Sequence, residues 1–557
     1  MKRIILLFFS MLLLFSGQLF SQVVYEHISN SNIYDFLDEL ANNKVIIINA
    51  VAKPYSKIFV AKKLLEAKSK EDQLNNRQRK ELDFYLQGFQ TEMEFPMEYN
   101  AKWNVLRKYS KWAATLNPLG VYFKDSVTTL WLKPILGYEY ITNNNGSFKH
   151  TYGGLEFGAY IGKHIGFYTS LRDNTITKNV IQPDFFVTDQ AAPVKTFSPE
   201  DIEFSEARGG ITYSWKWGSV GLIKDNLSWG DTYYQSNIIS GRTPSYGMLK
   251  LHLSPVKWFE FNYFHGWLVS DVVDSTLSYW DGDNFRAVFR PKYMAANMFS
   301  FQPFQGFWFS FGNSIIYSDI SIQAAYLIPF LFYKSVDHTL NATYHYGDAG
   351  QNSQMYFNIS SRNIKHVHLY GGLFVDELSL RHMFDEGEQR NYISLKGGIR
   401  ISDFPLQNLW MGIEYTRTNP LVYQNYLDAV TFETNSYCLG HYLRDNSDVT
   451  NISIGYKPIR GLHVLATYRY ARHGTDYDYK ELQNSGSSSG LPFMEEVIWK
   501  EQRFYVSVKY EIVNNAYFYI NYAYSDITGD YSVLKMRSPD FYWGKTNTFT
   551  FGANIGF

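Results

Sequence analysis

The chain has 557 residues with 52 Lys and Arg against 53 Asp and Glu, so its charge excludes the basic excess that a nucleic-acid partner requires. Aromatic residues make up 18% and charged residues only 19%, below the usual quarter, which indicates a fold that uses many amphipathic rings. The single cysteine, Cys438, excludes an internal disulfide framework and a multi-cysteine zinc or iron–sulfur site.

The amino terminus has the pattern of a cleaved secretory signal. Met1, Lys2 and Arg3 give a positive start, residues 4–15 are an apolar run too short to span a membrane, and Ser21 precedes a plausible cleavage site. We therefore predict a signal peptide over residues 1–21. Because no later apolar stretch reaches 18 residues, we predict no transmembrane helix.

Residues 22–100 are predicted to form a small helical module in the periplasm. Ile33, Phe36, Leu37 and Leu40 recur at helical spacing after a capping Ser31. A second helix is predicted from Ser56, and a third from about residue 71 to residue 93. The pattern favours a soluble bundle that packs on the rest of the chain over a dedicated docking site for another protein.

From about residue 120 the hydrophobic period changes from 3.6 to 2 and stays there. At the carboxyl end Phe549, Phe551, Ala553 and Ile555 alternate with polar or small residues. The last residue, Phe557, is aromatic, and we expect barrel-assembly machinery to bind it. Strands of this kind occur in sandwiches and in membrane barrels, so the connections must distinguish the two.

Long and short connections alternate along the predicted strands. Long ones are predicted at residues 526–546, 472–501 and 418–448, a medium one at 381–390, another loop at 348–353, and tight ones at 513–515, 458–461, 403–407 and 362–365. This segregation favours an outer-membrane barrel, whose periplasmic turns are short and whose outward loops are long, over a sandwich. The parity places the carboxyl terminus on the periplasmic side, together with the helical module.

Counting strands gives nineteen candidates. Nine lie near residues 129–142, 147–161, 165–172, 206–217, 218–226, 246–254, 257–267, 284–293 and 306–317, and ten more between His338 and Phe557; residues 143–146 (NNNG) are predicted as a hairpin turn. Closure with both ends on one side requires an even number, so we predict about 18 strands. The fold class is therefore an all-β, antiparallel transmembrane barrel over residues 101–557, located in the outer membrane and embedded in its lipid.

The motifs that could carry catalysis lack their structural context. Gly486, Ser488 and Gly490 match G-x-S-x-G, but no strand precedes them and no helix follows, as a nucleophile elbow requires. His265 is interpreted as a buried or girdle histidine. We predict no catalytic residue, no metal site and no cofactor.

Several blocks of the chain together resemble one family. They are the helix LNNRQRKELDFYLQGFQTEME and the segments GGLEFGAYIGKHIGFYTSLRDN, YSWKWGSVGLIKDNLSWG, FNYFHGWLVSDVVDS and YLIPFLFYKSVDH. With the signal peptide they resemble the capsule-assembly Wzi family in its Bacteroidetes form, over nearly the whole mature chain. The resemblance implies an 18-stranded outer-membrane barrel with periplasmic helices, acting as a surface lectin for capsular polysaccharide and not as an enzyme.

Glycan-binding candidates are aromatic residues beside carboxylates, because sugar C–H faces stack on rings while polar groups fix the hydroxyls. We expect them in or beside the outward loops, where many weak contacts would hold a capsular or other surface polysaccharide. The candidates are Trp229, Asp231, Tyr233 and Tyr234, then Trp280, Asp281 and Asp283, then Tyr477 and Tyr479, then Tyr542 and Trp543.

The alternative function is a porin-like channel for small solutes or saccharides. A barrel of about 18 strands has room for an aqueous lumen, which Lys509, Glu511 and Arg469 would line. The apolar segment at residues 326–333, which contains Pro329, is interpreted either as an inward plug, which would close such a channel, or as an edge strand.

Overall fold

The computed structural model describes residues 22–93, 104–109, 111–186, 191–194, 196–197, 201–344, 351–378, 390–486 and 489–556. The predicted signal peptide, Phe557 and Ser488 lie outside the described residues. Within these ranges no helix combines the length and the apolar character needed to cross a membrane.

Eighteen antiparallel strands form a closed barrel, which confirms the predicted fold class and strand number. Their bounds are β1 Thr128–Asn143, β2 Gly146–Ile161, β3 Ile165–Ile176, β4 Ile202–Trp215, β5 Gly218–Asp225, β6 Tyr246–Val256, β7 Phe259–Leu268, β8 Lys292–Phe304, β9 Phe307–Ser318, β10 Asn352–Ser361, β11 Val367–Leu378, β12 Asn391–Ser402, β13 Leu409–Thr418, β14 Ser447–Tyr456, β15 Leu462–Gly474, β16 Val497–Val513, β17 Ala516–Gly529 and β18 Gly544–Ile555. Because every strand has two neighbours, the barrel leaves no open edge of backbone amides in lipid.

The barrel closes where β18 pairs with β1, from Phe549 opposite Thr142 to Ile555 opposite Leu136. The remaining part of β1 pairs instead with the short strand Leu119–Lys124. That strand belongs to a three-stranded meander with Trp112–Leu116 and Asn104–Tyr109. The meander therefore completes the wall at the short-turn end, below the end of β18.

The alternation of side chains separates an apolar outer wall from the lumen. On β18, Phe549 and Phe551 are exposed on the outside, whereas Thr546 and Thr548 are buried on the lumenal side. Exposed apolar side chains of the same kind recur around the barrel, among them Leu395 on β12 and Ile452 on β14. This outer belt is the surface that meets the hydrocarbon of the outer membrane.

The two ends of the barrel differ in their connections. At one end the turns are two to six residues long, and at the other the loops are 12 to 33 residues long apart from the turn at Asn144 and Asn145. The predicted segregation and the predicted hairpin at residues 143–146 are therefore confirmed. In outer-membrane barrels the short turns face the periplasm, so the long loops face the environment.

Two predicted strands of the list are wrong. The chain at His338 is helical, in α4 Tyr333–Tyr344, so nine strands and not ten follow it. The segment predicted at residues 284–293 instead contains the short strand Asn284–Arg286, which pairs with Tyr279–Asp281 as a ribbon in a long loop, and β8 begins only at Lys292. Both errors concern segments of long loops that do not join the barrel.

Three helices precede the barrel and lie across its short-turn end. They are α1 Ser31–Asn42, α2 Lys57–Lys68, which Ser56 caps through the amide of Phe59, and α3 Asn76–Gly88, which begins with a capping box of Asn75 and Gln78. The segment around these helices contacts inward-facing side chains on strands spread round the whole circumference. The contacts are Lys57 with Glu156 on β2, Asn49 with Glu260 on β7, Asp35 with Arg400 on β12, and Asn32 with Glu511 on β16.

A buried ionic latch fixes α1 to the barrel. The Nζ atom of Lys457, in the turn between β14 and β15, lies 2.6 Å from Asp35 and 2.9 Å from Glu39. Asp38 accepts a 2.7 Å hydrogen bond from Arg362, in the turn after β10. Burial alone raises the pKa of Glu39, but the charges of Arg77 and Lys457 outweigh it and lower the pKa to about 2. The middle of α1 is therefore held by charge-assisted contacts inside the short-turn mouth.

The lumen is filled from both ends by buried side chains. A single apolar cluster joins Val24, Tyr25 and Val51 of the amino-terminal segment to Trp229 and Ile239 of the loop between β5 and β6. That loop starts at the long-loop end and descends into the barrel, where residues 228–229 pair with residues 52–53. The loop after β13 joins the same cluster through residues 421–423 and 430–439. The described loops and the helical segment thus meet in the middle of the barrel.

The apolar segment at residues 326–333 is neither an inward plug nor an edge strand. Tyr326 and Tyr333 pack with Phe261, Tyr263 and Ile315 of the neighbouring strands. On β7, Phe264 points inward, where it contacts Trp229. Because side chains alternate along a strand, Phe261 and Tyr263 face outward. The segment therefore lies on the outer wall of the barrel.

Candidate functional site

The structure separates the predicted glycan-binding residues into four places. Trp229, Asp231, Tyr233 and Tyr234 lie in the loop that descends into the lumen. Trp229 is 1% exposed, and its ring packs edge-on against Phe264 of the wall at a centroid distance of 5.2 Å. A polymer outside the cell cannot reach this side chain in the described conformation.

Asp231 and Tyr233 are engaged with the barrel wall. Asp231 accepts a 2.6 Å hydrogen bond from the Nδ2 atom of Asn358, and its own amide donates to the Oδ1 atom of that residue at 3.0 Å. The guanidinium of Arg400 lies 4.4 Å from the ring centroid of Tyr233. These contacts anchor the loop inside the barrel, so the structural role of this group is evident.

Trp280, Asp281 and Asp283 lie on the ribbon in the loop between β7 and β8. Trp280 is 68% exposed and contacts Phe285 across the ribbon at a centroid distance of 5.4 Å. Asp281 lies 3.8 Å from Arg286. This group is fully open to solvent and has no surrounding walls.

Tyr542 and Trp543 belong to the last long loop, between α6 Tyr531–Arg537 and β18. Tyr542 packs against two apolar clusters under the loops. The indole of Trp543 donates a 2.9 Å hydrogen bond to the carbonyl of Ser538. Both rings are half-buried and help to hold this loop over the mouth.

Tyr477 and Tyr479 line a cavity of about 430 Å³ at the long-loop end, within the size range of small-ligand sites. Its walls come from the loop after β13, from the start of the loop after β15, and from Arg537 at the end of α6. The polar and ionisable side chains that line it include Gln424, Asn425, Asp428, Glu433, Cys438, Arg444, Asp445, Asp476, Tyr477, Asp478, Tyr479, Lys480 and Arg537. We call this the loop cavity.

Positively charged, negatively charged and amide side chains all face the loop cavity. Asp428 pairs with Lys480, and Asp476 accepts a 3.0 Å hydrogen bond from Arg537. Burial alone raises the pKa of Asp476, but the hydrogen bond from His473 and the charge of Arg537 lower it to about 2. The cavity therefore holds ionised carboxylates next to fixed donors, an arrangement that suits the hydroxyls of an uncharged or amino-bearing sugar.

The deeper carboxylate, Asp445, behaves differently. It accepts hydrogen bonds from the amide of Leu421 at 2.8 Å and from the Nε2 atom of Gln424 at 2.9 Å. Burial outweighs the nearby positive charge of His473 and raises its pKa. Asp445 thus orients Gln424, which carries its amide into the cavity.

The two tyrosines present ring faces and hydroxyls together. The ring of Tyr479 packs edge-on against Tyr392 of β12 at 6.1 Å, and its hydroxyl donates to Glu377 at 3.4 Å. The hydroxyl of Tyr477 donates to Glu495 at 3.2 Å. Because these contacts fix the rings, little side-chain entropy is lost when a sugar stacks on them.

The loop after β13 supplies most of the loop cavity, and the aromatic–carboxylate pattern did not select it. Between Asn419 and Asn446 it has tyrosines near carboxylates, such as Tyr426 before Asp428 and Tyr442 before Asp445, but none of its residues was among the candidates. Its length of 28 residues was the available signal. Across the described part of the chain no group of three or more His, Cys, Asp or Glu side chains is placed to hold a metal ion.

Comparison with known proteins gives a structural likeness but no sequence relative. No known family's sequence profile matches the chain, and no curated protein sequence matches it. The fold is similar to that of Wzi from Escherichia coli, described as an outer-membrane protein involved in group 1 capsule assembly and a carbohydrate-binding β-barrel. The TM-score is 0.57 at 10% identity, over 96% of this chain and 99% of that one. This likeness shows the fold.

Two Pseudomonas aeruginosa barrels are more weakly similar. OccD3 (OpdP) gives a TM-score of 0.41 at 10% identity, over 76% of this chain and 90% of that chain. OprD gives 0.40 at 10% identity, over 77% and 94%. The closed barrel and its apolar outer belt, and not these weak likenesses, locate the chain in the outer membrane.

Proposed function

We propose that this chain is a non-enzymatic, Wzi-like surface lectin that binds capsular or related surface polysaccharide. The observation that carries the proposal is a lumen filled by the helical segment and the inward loops, below a cavity that opens outward. A channel needs a continuous aqueous path, whereas a lectin needs a fixed, exposed site on a rigid support. The similarity to Wzi over nearly the whole chain supports the same reading.

The loop cavity is the proposed sugar site. Tyr477 and Tyr479 offer stacking surfaces, and Asp428 and Asp476 accept hydroxyl hydrogen bonds. Gln424 can accept through its Oε1 atom, because its Nε2 atom donates to Asp445 and to the carbonyl of Tyr477. Trp280 on the exposed ribbon is proposed as an additional, weaker contact. A repeating glycan would engage many barrels at once, so weak single sites suffice to retain it on the cell.

The test is retention of the purified barrel on immobilised capsular polysaccharide from the cells that produce it. Each of Tyr477→Ala and Tyr479→Ala is expected to weaken binding by roughly 2- to 10-fold, the value of one aromatic contact. Phe404→Ala removes an exposed ring from a turn at the opposite end and is expected to leave retention unchanged. Equal retention by all four proteins would exclude the loop cavity as the sugar site.

A further inference from the structure

The first 22 residues of the longest loop of the barrel turn away from the mouth at which the loop starts. It connects β9 to β10, and its residues 319–340, which we call the strap, fold back along the outer wall of β7, β8 and β9. Tyr326 and Tyr333 of the strap are fully buried, together with Phe261, Ala295 and Ile315 on the outer face of the wall.

The wall beneath the strap carries amide side chains that lipid could not satisfy. Asn297 on β8 and Asn313 on β9 lie directly opposite each other, with a 2.8 Å hydrogen bond from the Nδ2 atom of Asn313 to the Oδ1 atom of Asn297. The neighbours Ala296 and Met298 belong to the lumenal cluster, so Asn297 faces outward. An amide without a hydrogen-bond partner is strongly disfavoured in hydrocarbon.

The strap backbone satisfies both amides. Asn297 donates from Nδ2 to the carbonyls of Pro329 at 3.0 Å and Leu331 at 2.9 Å. Asn313 accepts from the amide of Tyr333 at 2.9 Å. The wall and the strap are therefore complementary, and the bare wall would be a poor lipid-facing surface.

The strap extends far down the wall. The ring of Phe330 stacks on Phe261 at a centroid distance of 4.6 Å, and Phe261 lies two residues from the start of β7 at the short-turn end. Higher up, Tyr263 donates its hydroxyl to the carbonyl of Tyr326 at 3.0 Å. The strap thus enters from the long-loop side, descends past the middle of the barrel and returns through α4.

The face of the strap that points away from the wall is apolar. Its exposed side chains are Ile320, Ile322, Leu327, Ile328, Phe330 and Phe332. No charged residue occurs between Ile320 and Tyr333. This face continues the outer belt, where Phe311 and Phe357 of the adjacent strands are likewise exposed.

We propose that the strap is a re-entrant membrane element, whose residues 320–332 lie in the hydrocarbon of the outer membrane with lipid acyl chains as their partner. Irregular backbone is tolerated at membrane depth only when protein satisfies its polar groups, and Asn297 and Asn313 do so for the lower turn. The charged Lys334 and Asp337 begin the return toward the surface on α4.

The test measures lipid contact at single labelled positions. In a Cys438→Ala background, Phe330→Cys and Ile322→Cys are labelled with an environment-sensitive fluorophore and reconstituted in phosphatidylcholine vesicles with brominated acyl chains. Leu395→Cys on the outer belt and Ser485→Cys on an outward loop are the lipid and water references. We expect quenching at both strap positions within about twofold of that at Leu395, because lipid contact is shared.

Other outcomes would overturn the proposal. Quenching at the level of the Ser485 reference would place the strap in water. Weak quenching of Phe330 with label-to-label energy transfer between barrels would mean that a second copy, and not lipid, covers this face. Because the labelled side chains are exposed, either result would be obtained on a folded barrel.

Discussion

Cys438 lies at the wall of the loop cavity with its side chain 2% exposed. Burial raises the pKa of its thiol to about 12, although the charge of Arg444 acts in the opposite direction. The thiol is therefore protonated at every pH at which the barrel would normally be handled, and a protonated thiol is a poor nucleophile.

We expect the folded wild-type chain to resist alkylation by iodoacetamide between pH 7 and pH 9. After unfolding the thiol returns to its ordinary pKa, so labelling at pH 9 becomes fast. Ser485→Cys, on the exposed helix α5 Tyr479–Ser485, provides a folded reference that should label readily. Labelling of the folded wild type at the rate of this variant, measured by mass spectrometry, would contradict the burial of Cys438.

Sequence patterns at the residue scale identify chemistry but not placement. Trp229 and Tyr477 both stand near carboxylates in long connections, yet one fills the lumen and the other lines an open cavity. The difference arises because residues 228–229 pair with residues 52–53, a contact between distant parts of the chain. No local pattern encodes such a pairing, so the aromatic criterion grouped both residues together.

At the scale of single elements, α1 depends on charges that are mostly shielded from solvent. Lys457 neutralises Asp35 and Glu39 together, while Arg400 also pairs with Asp35 and Arg77 with Glu39. Such a network adds stability only while it is complete, because removal of one partner leaves uncompensated buried charge.

Lys457→Met is expected to loosen α1 by about 3 kcal/mol, the lower end of the cost of breaking a buried ion pair. Amide hydrogen exchange of α1 in the reconstituted barrel measures this opening free energy. Lys163→Met, which removes an exposed lysine from another short turn, serves as the matched control and should leave α1 unchanged. If both variants protect α1 equally, the latch does not stabilise the module.

Element types were predictable wherever the apolar period was long and clear. The strands after Leu409 and the three helices before the barrel follow their patterns closely. The strap and α4 did not follow a clear pattern, because some apolar residues at 326–333 pack on the barrel wall and others are exposed on the outside. A segment that is apolar on every side does not show whether it is strand or helix.

At the scale of the whole molecule, the filled lumen predicts that the barrel does not conduct ions across the membrane. The full chain in a planar bilayer should add no ohmic conductance, because a buried apolar cluster that includes Val24 and Leu439 fills the middle of the described lumen. A porin of known conductance in the same bilayer provides the reference. Stable, open current steps from this chain would favour the channel function and remove the main support for the lectin.

The overall architecture was accessible from the sequence because barrel closure constrains it strongly. Every strand edge in lipid must be paired, so the sheet closes into a barrel. Short and long connections then alternate between the two sides of the membrane, and an even strand number follows when both chain ends lie on one side. The loop cavity was not accessible, since it depends on how three loops meet above the barrel. Loop geometry is decided by long-range contacts that leave no periodic trace.

The divided pairing of β1 has a consequence for biogenesis. Its lower part is matched by the preceding meander, a partner that is nearby in the chain, whereas its upper part must wait for β18, the last strand to be synthesised. Until then, residues 136–142 of β1 present free amides and carbonyls, whereas residues 129–132 are already paired, which limits misassembly with other nascent barrels. The barrel can therefore close only when β18 pairs with β1, and until then the meander protects part of the β1 edge.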